Sequence, residues 1–301
     1  MNSGISAVAR VACGFALLIV GLGSSHASNT LERIKQSGVV HIGYQESLPF
    51  SYKPAEGGTP PGYSIEVCTN LVEAIKSDAK LKSVEVRFVP VTAANRIPQI
   101  VEGKVDLVCA GVTNTKARRE QVAFSMPVYF ASAKLLVRDG SGIASIDDLG
   151  GKTLAVQKNT TGAQIAEARR AALGNLKITF VDNALEGMHA VESKAADAFI
   201  QDDIQLHGLK AQSKEKLAVV GSGLSIEPLA IMFNKDDRNL AALVEREMAQ
   251  LYKSGQMRKL YSKWFQSPLP QRSFNLNVAP NTLTADMFSN PSGYSVDWSI
   301  F

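Results

Sequence analysis

Cysteine and histidine are scarce in this 301-residue chain, which has three and four of them respectively. This disfavours a histidine-rich metal centre and a scaffold held together by many disulfides. Lysine and arginine total 32 against 28 acidic residues, a formal net charge of +4, and they form no dense cluster. This weak basicity predicts no nucleic-acid partner. Beyond residue 27 there is also no apolar run long enough to predict a membrane-spanning helix.

The first 27 residues have the layout of a secretory signal peptide. Up to Ala27 the only charged side chain is that of Arg10. An apolar run then covers residues 11–22, and Ser25-His26-Ala27 supplies small residues at the positions that a signal peptidase reads. About a dozen apolar residues fall short of the roughly 20 that a membrane anchor needs. We therefore expect cleavage after Ala27 and export of the mature chain.

Two cysteines, Cys68 and Cys109, remain after cleavage. An exported protein with an even number of cysteines can form one disulfide. Cys68 falls on the apolar face of a helix predicted over residues 64–75, and Cys109 ends a strand predicted over residues 105–109. Packing of that helix on that sheet favours a disulfide between the two side chains. The alternative is a pair of buried free thiols.

Strand and helix patterns alternate twice along the chain. In the first half, the predicted strands cover residues 39–43, 84–91 and 105–109, and the helices cover residues 64–75 and 94–101. In the second half, the predicted strands cover residues 152–156, 178–181 and 196–200, and the helices cover residues 162–172 and 185–193. This alternation is typical of parallel sheets with helices on both faces. The sequence therefore predicts two similar α/β lobes with a cleft between them.

Candidate ligand-binding groups follow the strand that ends at Cys109. Thr113 offers a hydroxyl, and Thr115 can cap a short helix whose first turn includes Arg118. Ligands bind at the carboxyl ends of strands in open α/β sheets, and an arginine can bind a carboxylate with two parallel hydrogen bonds. The pattern predicts an anion site. The alternative is an exposed loop with solvated basic residues.

The second half has matching groups. Asn159-Thr160-Thr161-Gly162 follows a predicted strand and opens a helix, so it offers hydroxyls and backbone N–H groups to the same anion. Asp202-Asp203 follows the strand at residues 196–200, and a carboxylate there can hold an ammonium group. Together the two halves predict recognition of the zwitterion of a free α-amino acid. The alternative role of the aspartate pair is a helix cap, which one of the two is expected to provide.

Six short motifs are spread over the mature chain. They are Pro49-Phe50-Ser51-Tyr52, Gly62-Tyr63-Ser64, Asn95-Arg96-Ile97-Pro98, Thr113-Asn114 with Arg118, Phe124-Ser125, and Lys263-Trp264-Phe265. With them the chain resembles the amino-acid-binding proteins of bacterial ABC importers, in particular the glutamate/aspartate-binding branch. The resemblance implies a type 2 periplasmic binding protein fold, in which two lobes, each a mainly parallel sheet flanked by helices, are joined by two crossing hinge strands. It also implies a periplasmic monomer that delivers a free amino acid to a membrane permease with its ATPase.

The resemblance also assigns roles to residues. It implies that Arg118, Thr113 and Thr161 hold the α-carboxylate of the ligand and that Asp202 holds the α-ammonium. After the signal peptide at residues 1–27, one lobe is expected to comprise residues 28–132 and 228–301, and the other residues 133–227. The crossings are then expected near residues 131–134 and 226–230.

Several positions depart from the branch that binds acidic amino acids. Arginine stands there at the position of Gln45, serine at those of Ala93 and Gly111, and histidine near that of Ala184. Arg96 is kept, and the resemblance places it at the side-chain end of the cleft, although it can instead pair with a neighbouring acid to hold its helix. We expect Gln45, Arg96 and Gly111 to line the side-chain pocket. The expected ligand is a polar amino acid, glutamate or aspartate first, with glutamine, asparagine or another polar residue as alternatives.

Two other functions compete with a receptor. A dehydratase or lyase on the same scaffold needs a general acid or base in the cleft, for which Glu46 is the candidate, whereas His41 lies in a predicted strand. The sequence pattern contains no nucleophile–base pair and no metal-ligand spacing, so we predict a binding protein without enzymatic activity or cofactor. A ligand-sensing module is the other alternative, and such modules usually continue into a membrane span and a signalling domain.

Overall fold

A computed structural model describes Met1, residues 30–54 and residues 57–291 of the chain. The signal peptide predicted for residues 1–27 lies outside the described residues except for Met1, and so do residues 292–301 of the expected first lobe. Within the part of the chain that is described, no helix is both long enough and apolar enough to cross a membrane.

Twelve strands are present in the described residues. They are β1 (Val39–Tyr44), β2 (Glu85–Pro90), β3 (Leu107–Val108), β4 (Ala123–Phe124), β5 (Tyr129–Ala131), β6 (Ala133–Arg138), β7 (Thr153–Gln157), β8 (Lys177–Val181), β9 (Ala198–Asp202), β10 (Leu217–Val220), β11 (Glu227–Leu229) and β12 (Met232–Phe233).

The helices alternate with these strands over most of the chain. They are α1 (Thr30–Ser37), α2 (Tyr63–Asp78), α3 (Arg96–Val101), α4 (Lys116–Arg119), α5 (Thr161–Arg170), α6 (Ala184–Glu192), α7 (Asp203–Gln212), α8 (Arg238–Lys253), α9 (Gln256–Phe265) and α10 (Thr282–Met287), with one 3-10 turn at Ile146–Leu149.

The first sheet has five strands in the order β2-β1-β3-β12-β4. Strand β1 is parallel to both β2 and β3, and β12 is antiparallel to both β3 and β4. Val40 and Ile42 of β1 are fully buried because helices cover the sheet, as the run of apolar residues predicts.

The second sheet has five strands in the order β10-β6-β9-β7-β8. Strand β7 is parallel to β8 and β9, whereas β6 is antiparallel to β9 and β10. In each sheet four of the five strands run in the same direction and one runs against them, so both sheets are mainly parallel, as expected, with one antiparallel strand each. The antiparallel strand is β12 in the first sheet and β6 in the second, and each directly follows a strand that connects the two sheets. It therefore starts at the junction of the sheets, whereas its parallel neighbours end there.

Two strands form the crossing between the sheets. Strands β5 and β11 pair antiparallel, with Glu227 opposite Ala131 and Leu229 opposite Tyr129. One leads from the first sheet into β6, and the other leads back into β12. This confirms the predicted fold class, an α/β protein of two sheet-and-helix units joined by two crossing strands.

A disulfide joins Cys68 on α2 to Cys109, which follows β3, across a sequence separation of 41 residues. Their Cα atoms are 6.3 Å apart, and both side chains are fully buried. Because α2 packs on the first sheet in this way, the predicted pairing is present rather than two free thiols.

The chain after Trp264 is not extended throughout. It forms α10, which Asn281 caps by accepting a hydrogen bond from the backbone N–H of Thr284 at 3.0 Å. The hydroxyl oxygen of Thr284 in turn accepts from the backbone N–H of Phe130 at 3.2 Å. The tail therefore packs against crossing strand β5.

Candidate functional site

The loop between β3 and α4 places the predicted anion-binding residues at the junction of the two sheets. Thr115 caps α4 by accepting a hydrogen bond from the backbone N–H of Arg118 at 3.3 Å. The guanidinium of Arg118 turns back and donates to the backbone oxygen of Thr113 at 2.8 Å. It also donates to the backbone oxygen of Asn159 at 3.3 Å, which lies in the second unit. The structure thus brings together two segments that the sequence predicted on opposite sides of the cleft.

The guanidinium of Arg118 lies near two carboxylates, those of Glu227 and Asp202. Burial lowers the pKa of its guanidinium, and the nearby carboxylates of Glu227 and Asp202 act in the opposite direction. The side chain therefore remains a cation beside two acids, in a place where solvent screens charges poorly.

Glu227 is a site residue that the sequence reading missed. Its side chain is fully buried on β11. One carboxylate oxygen accepts hydrogen bonds from the hydroxyls of Thr113 at 2.8 Å and Thr161 at 2.6 Å. The other oxygen accepts from the hydroxyl of Ser225 at 2.7 Å. The sequence does contain a sign of this role, because an acidic residue inside the apolar segment expected to cross between the lobes requires a hydrogen-bond partner.

Asp202 and Asp203 make different contacts at the start of α7. Asp203 is the first residue of α7, and its carboxylate accepts hydrogen bonds from the backbone N–H groups of Ile204 at 2.8 Å and Ser132 at 3.3 Å, so it satisfies one free N–H of the first turn, as a cap does, and holds the crossing. Asp202 makes no such cap and is buried at the end of β9. The amide of Gln205, one turn along α7, donates to its carboxylate at 2.9 Å.

The surroundings of Asp202 disfavour the ionised form of its carboxyl group. Burial raises the pKa of its carboxyl well above the ordinary value, and the carboxylates of Glu227 and Asp203 raise it further. Arg118 and Arg96 oppose these effects. A cation next to Asp202 would lower this pKa, because an opposite charge within a few ångströms favours the ionised form.

Arg96 and Gln45 meet at another part of the junction. The guanidinium of Arg96 donates to the side-chain oxygen of Gln45 at 3.2 Å, so it bonds to an amide rather than to the neighbouring acid that a helix-holding role would require. Its Nε atom is buried and has no hydrogen-bond partner among the described residues. Burial and the neighbouring Arg118 lower the pKa of Arg96 to about 9, so it is still a cation at neutral pH.

Gly111 lies where a side chain has no space. A Cβ atom there would come within 2.8 Å of the Phe50 ring, 2.9 Å of the Ser47 hydroxyl and 3.0 Å of the Gln205 amide. The backbone N–H of Gly111 donates to the Ser47 hydroxyl at 3.3 Å. Gln205, which the sequence reading also missed, is one of the three side chains that occupy the space where a side chain at position 111 would lie.

The other two departures lie on the two sides of this junction. Ala93 is half-buried just before α3, and Ala184 is buried at the start of α6. Ala184 lines a small pocket with Gln205, Glu46 and Leu48. Among the described residues, no group of three or more histidine, cysteine or acidic side chains could hold a metal ion.

Two sheet-and-helix units whose basic and acidic side chains converge at their junction are typical of proteins that enclose a small ligand between lobes. The comparison with known families agrees with this class. Residues 40–267 match the bacterial extracellular solute-binding proteins, family 3, and the chain belongs to this family.

Known relatives share the fold and most of the chain. The L-glutamate/L-aspartate-binding protein of Pseudomonas aeruginosa is 33% identical over 282 residues, which cover 92% of this chain and 93% of that protein. The solved structure of an ancestral arginine-binding protein bound to glutamine is 29% identical, with a TM-score of 0.68, and covers 76% of this chain and 99% of that one. The ancestral amino acid-binding protein AncCDT-1, a precursor of cyclohexadienyl dehydratase, is 32% identical with a TM-score of 0.66, over 79% of this chain and 99% of that one.

Proposed function

We propose that this solute-binding protein is the periplasmic receptor of an amino-acid ABC importer and binds one free polar amino acid at the junction of its lobes. The lobes are residues 28–132 with 228–301, and residues 133–227. The partners are a membrane permease and its ATPase, to which a monomeric receptor delivers the ligand. Neither a cofactor nor a nucleic acid takes part.

The observation that carries the proposal is the arrangement of charge at the junction. Arg118 supplies a guanidinium from one lobe, and Asp202 supplies a buried carboxylate from the other. A zwitterion carries one charge complementary to each. In our proposal Arg118 takes the ligand carboxylate, Asp202 takes the ligand ammonium, and Thr113 and Thr161 complete the grip.

Arg96, Gln45 and Gly111 form the side-chain end of the proposed site. Arg96 provides a buried cation and Gln45 an amide that both donates and accepts hydrogen bonds. This pair suits an acidic side chain, as the name of the Pseudomonas aeruginosa relative suggests, and also a side-chain amide, as in the ancestral protein bound to glutamine. A cationic side chain is disfavoured because Arg96 would repel it. We therefore place glutamate and aspartate first, followed by their amides.

The test is a thermal-shift screen of the twenty L-amino acids on ligand-stripped mature protein. A ligand that binds only the native state raises the melting temperature, by an amount that grows with its concentration relative to Kd. We expect the largest shift from glutamate, aspartate or an amide, and none from lysine. A largest shift from lysine or a large apolar residue would refute the proposed side-chain pocket, and no shift from any amino acid would refute the receptor.

A dehydratase or lyase is the second candidate. Asp202 favours it, because a buried carboxyl with a raised pKa in a cleft has the properties of a general acid. The relation of AncCDT-1 to a dehydratase points the same way. Glu46 supports it less, since its carboxylate accepts a hydrogen bond from the backbone N–H of Lys53 at 2.9 Å. Prolonged incubation followed by mass spectrometry separates the two functions, because a receptor returns its ligand unchanged.

Closure and stoichiometry have their own tests. If the two crossing strands act as a hinge, ligand contacts from both lobes stabilise a closed form. Small-angle scattering should then show a smaller radius of gyration at saturating ligand, with the mass of a monomer throughout. An unchanged radius with a bound ligand would contradict the hinge and leave the binding itself in place.

A further inference from the structure

Glu227 lies at the centre of the proposed site and has no role in the scheme described so far. It is fully buried, yet three hydroxyl groups surround its carboxylate. Those of Thr113 and Thr161 share one oxygen, at 2.8 and 2.6 Å, and that of Ser225 binds the other at 2.7 Å. The three donors come from a loop of the first lobe, the start of α5 and the strand connection itself, so the carboxylate links all parts of the junction.

The chemistry of these contacts fixes the direction of each hydrogen bond. An ionised carboxylate only accepts, and a hydroxyl has a single proton to donate. The protons of Thr113 and Thr161 therefore point at Glu227. Each threonine oxygen retains lone pairs for a second contact, and any second partner must be a donor. A ligand carboxylate has no proton to offer them, whereas a ligand ammonium has three.

The position of Asp202 supports the same conclusion. Asp202 lies opposite Ala133 across β9 and β6, and the backbone N–H of Ala133 donates to the Ser225 hydroxyl that binds Glu227, so the two carboxylates lie in the same part of the junction. The threonine hydroxyls are within hydrogen-bond distance of Glu227. Two carboxylates and two hydroxyl oxygens thus form a cluster of acceptors, which is the environment that an ammonium group requires.

We infer that Glu227 is a positioning residue that takes the hydroxyl protons of Thr113 and Thr161 and thereby turns both oxygens into acceptors for the ammonium of the ligand. The inference rests on the proposed amino-acid receptor and corrects one part of it. The ligand carboxylate is then left to the guanidinium of Arg118 and to backbone donors. Thr161 supplies one of these, because its N–H belongs to the first turn of the ten-residue helix α5 and has no partner within the helix.

The test compares an amino acid with its deamino analogue, in which hydrogen replaces the ammonium. The probe is the amino acid that gives the largest shift among the twenty L-amino acids, and both affinities are measured by competition calorimetry. Glu227→Ala releases the hydroxyl protons, so the threonine oxygens are no longer held as acceptors for the ammonium and the negative charge beside it is lost. We expect the preference of wild-type protein for the amino acid over the analogue to fall at least about tenfold, the equivalent of one charge-assisted hydrogen bond.

Glu227→Gln and Asp106→Ala are the companion variants. The glutamine keeps one acceptor oxygen but no charge, so its preference should lie between those of wild type and Glu227→Ala. Asp106 is also a buried carboxylate, held by Arg33 at the far end of the first sheet, and its removal should lower the melting temperature without changing the preference. If Glu227→Ala does not fold, the same preference is measured on Glu227→Gln alone, and it should be lower than that of the wild type.

The outcomes separate the inference from the proposed function. If Glu227→Ala or Glu227→Gln weakens both ligands by the same factor, Glu227 is only structural and the inference fails while the receptor stands. If Thr113→Val and Thr161→Val weaken the deamino analogue as much as the amino acid, their hydroxyls hold the carboxylate and the inference fails again. If wild-type protein binds no amino acid, the proposed function fails and the inference with it.

Discussion

Arg118→Ala is the substitution that tests the proposed grip most directly. Its guanidinium is half-buried, donates to backbone oxygens on both sides of the junction and lies near two carboxylates. Removal of one partner from a buried ion pair costs roughly 2–5 kcal/mol, because the other charge remains buried without a partner. At about 1.4 kcal/mol per tenfold change in Kd, this predicts a loss of affinity of roughly 30- to 4,000-fold.

The same residue should contribute much less to the stability of the unliganded protein. Burial lowers the pKa of Arg118, so its charge is less favourable in the folded protein than in water. Loss of the side chain removes this cost and two hydrogen bonds, and it also leaves Glu227 and Asp202 without a nearby cation. These changes oppose one another. We therefore expect a small change in the melting temperature of the unliganded protein beside a large change in affinity.

Isothermal titration with the best amino acid of the screen gives the affinities. Arg118→Lys keeps the charge but loses the planar fork that binds a carboxylate with two hydrogen bonds, so it should fall between wild type and alanine. Lys116→Ala is the matched control, since Lys116 is exposed on the same helix and should change Kd by no more than about twofold. An Arg118→Ala protein that binds as tightly as this control would show that the carboxylate is held elsewhere.

Three further predictions concern the disulfide, Asp202 and Gln45. Replacement of Cys68 and Cys109 by alanine should lower the free energy of unfolding by about 4 kcal/mol on the chain-entropy estimate for a separation of 41 residues, measured by urea denaturation against the oxidised protein. A difference below about 1 kcal/mol would contradict that estimate. A bound ammonium should lower the raised pKa of Asp202, so ligand binding should release a proton. The affinity should therefore rise with pH between the pKa of Asp202 in the liganded protein and its higher pKa in the unliganded protein, and then level off. Calorimetry in buffers of different ionisation enthalpy measures the proton release, which Asp202→Asn should abolish. Gln45→Arg adds a second cation beside Arg96 and should shift preference from an amide ligand towards the corresponding acid, and an unchanged ratio of the two Kd values would remove Gln45 from the pocket.

Much of the fold follows from short-range patterns. Apolar runs bounded by glycine and polar residues located the strands that end at the junction, and the rule that ligands bind at such ends pointed to the segments of Thr113, Arg118 and Asp202. The structure places all three at one junction. The positions of these segments could be predicted because each depends on a few consecutive residues and on the direction of one strand, whereas their binding of a ligand stays a prediction.

The groups that were missed depend on contacts between distant parts of the chain. Thr113 and Glu227 are separated by 114 residues and meet only because β11 crosses beside the loop after β3. Strands β6 and β10 were missed for a similar reason, since β6 takes its place in the second sheet by antiparallel pairing with β9, and β10 takes its place by antiparallel pairing with β6. Periodicity within a segment carries no information about such pairings.

The side-chain pocket also shows why specificity does not transfer from the relatives residue by residue. Gly111 lacks the serine of the glutamate/aspartate branch, and Gln205 from the opposite lobe lies against it and donates to Asp202. Phe50 and Ser47 from the same unit and Gln205 from the other occupy the space where a side chain at position 111 would lie, and the Gln205 amide is bonded to the carboxylate proposed to hold the ammonium. A substitution in the proposed side-chain pocket therefore also affects Asp202, the residue proposed to bind the ammonium of the ligand. Because contacting residues contribute non-additively, the affinity for each ligand depends on Gly111, Gln205 and Asp202 together.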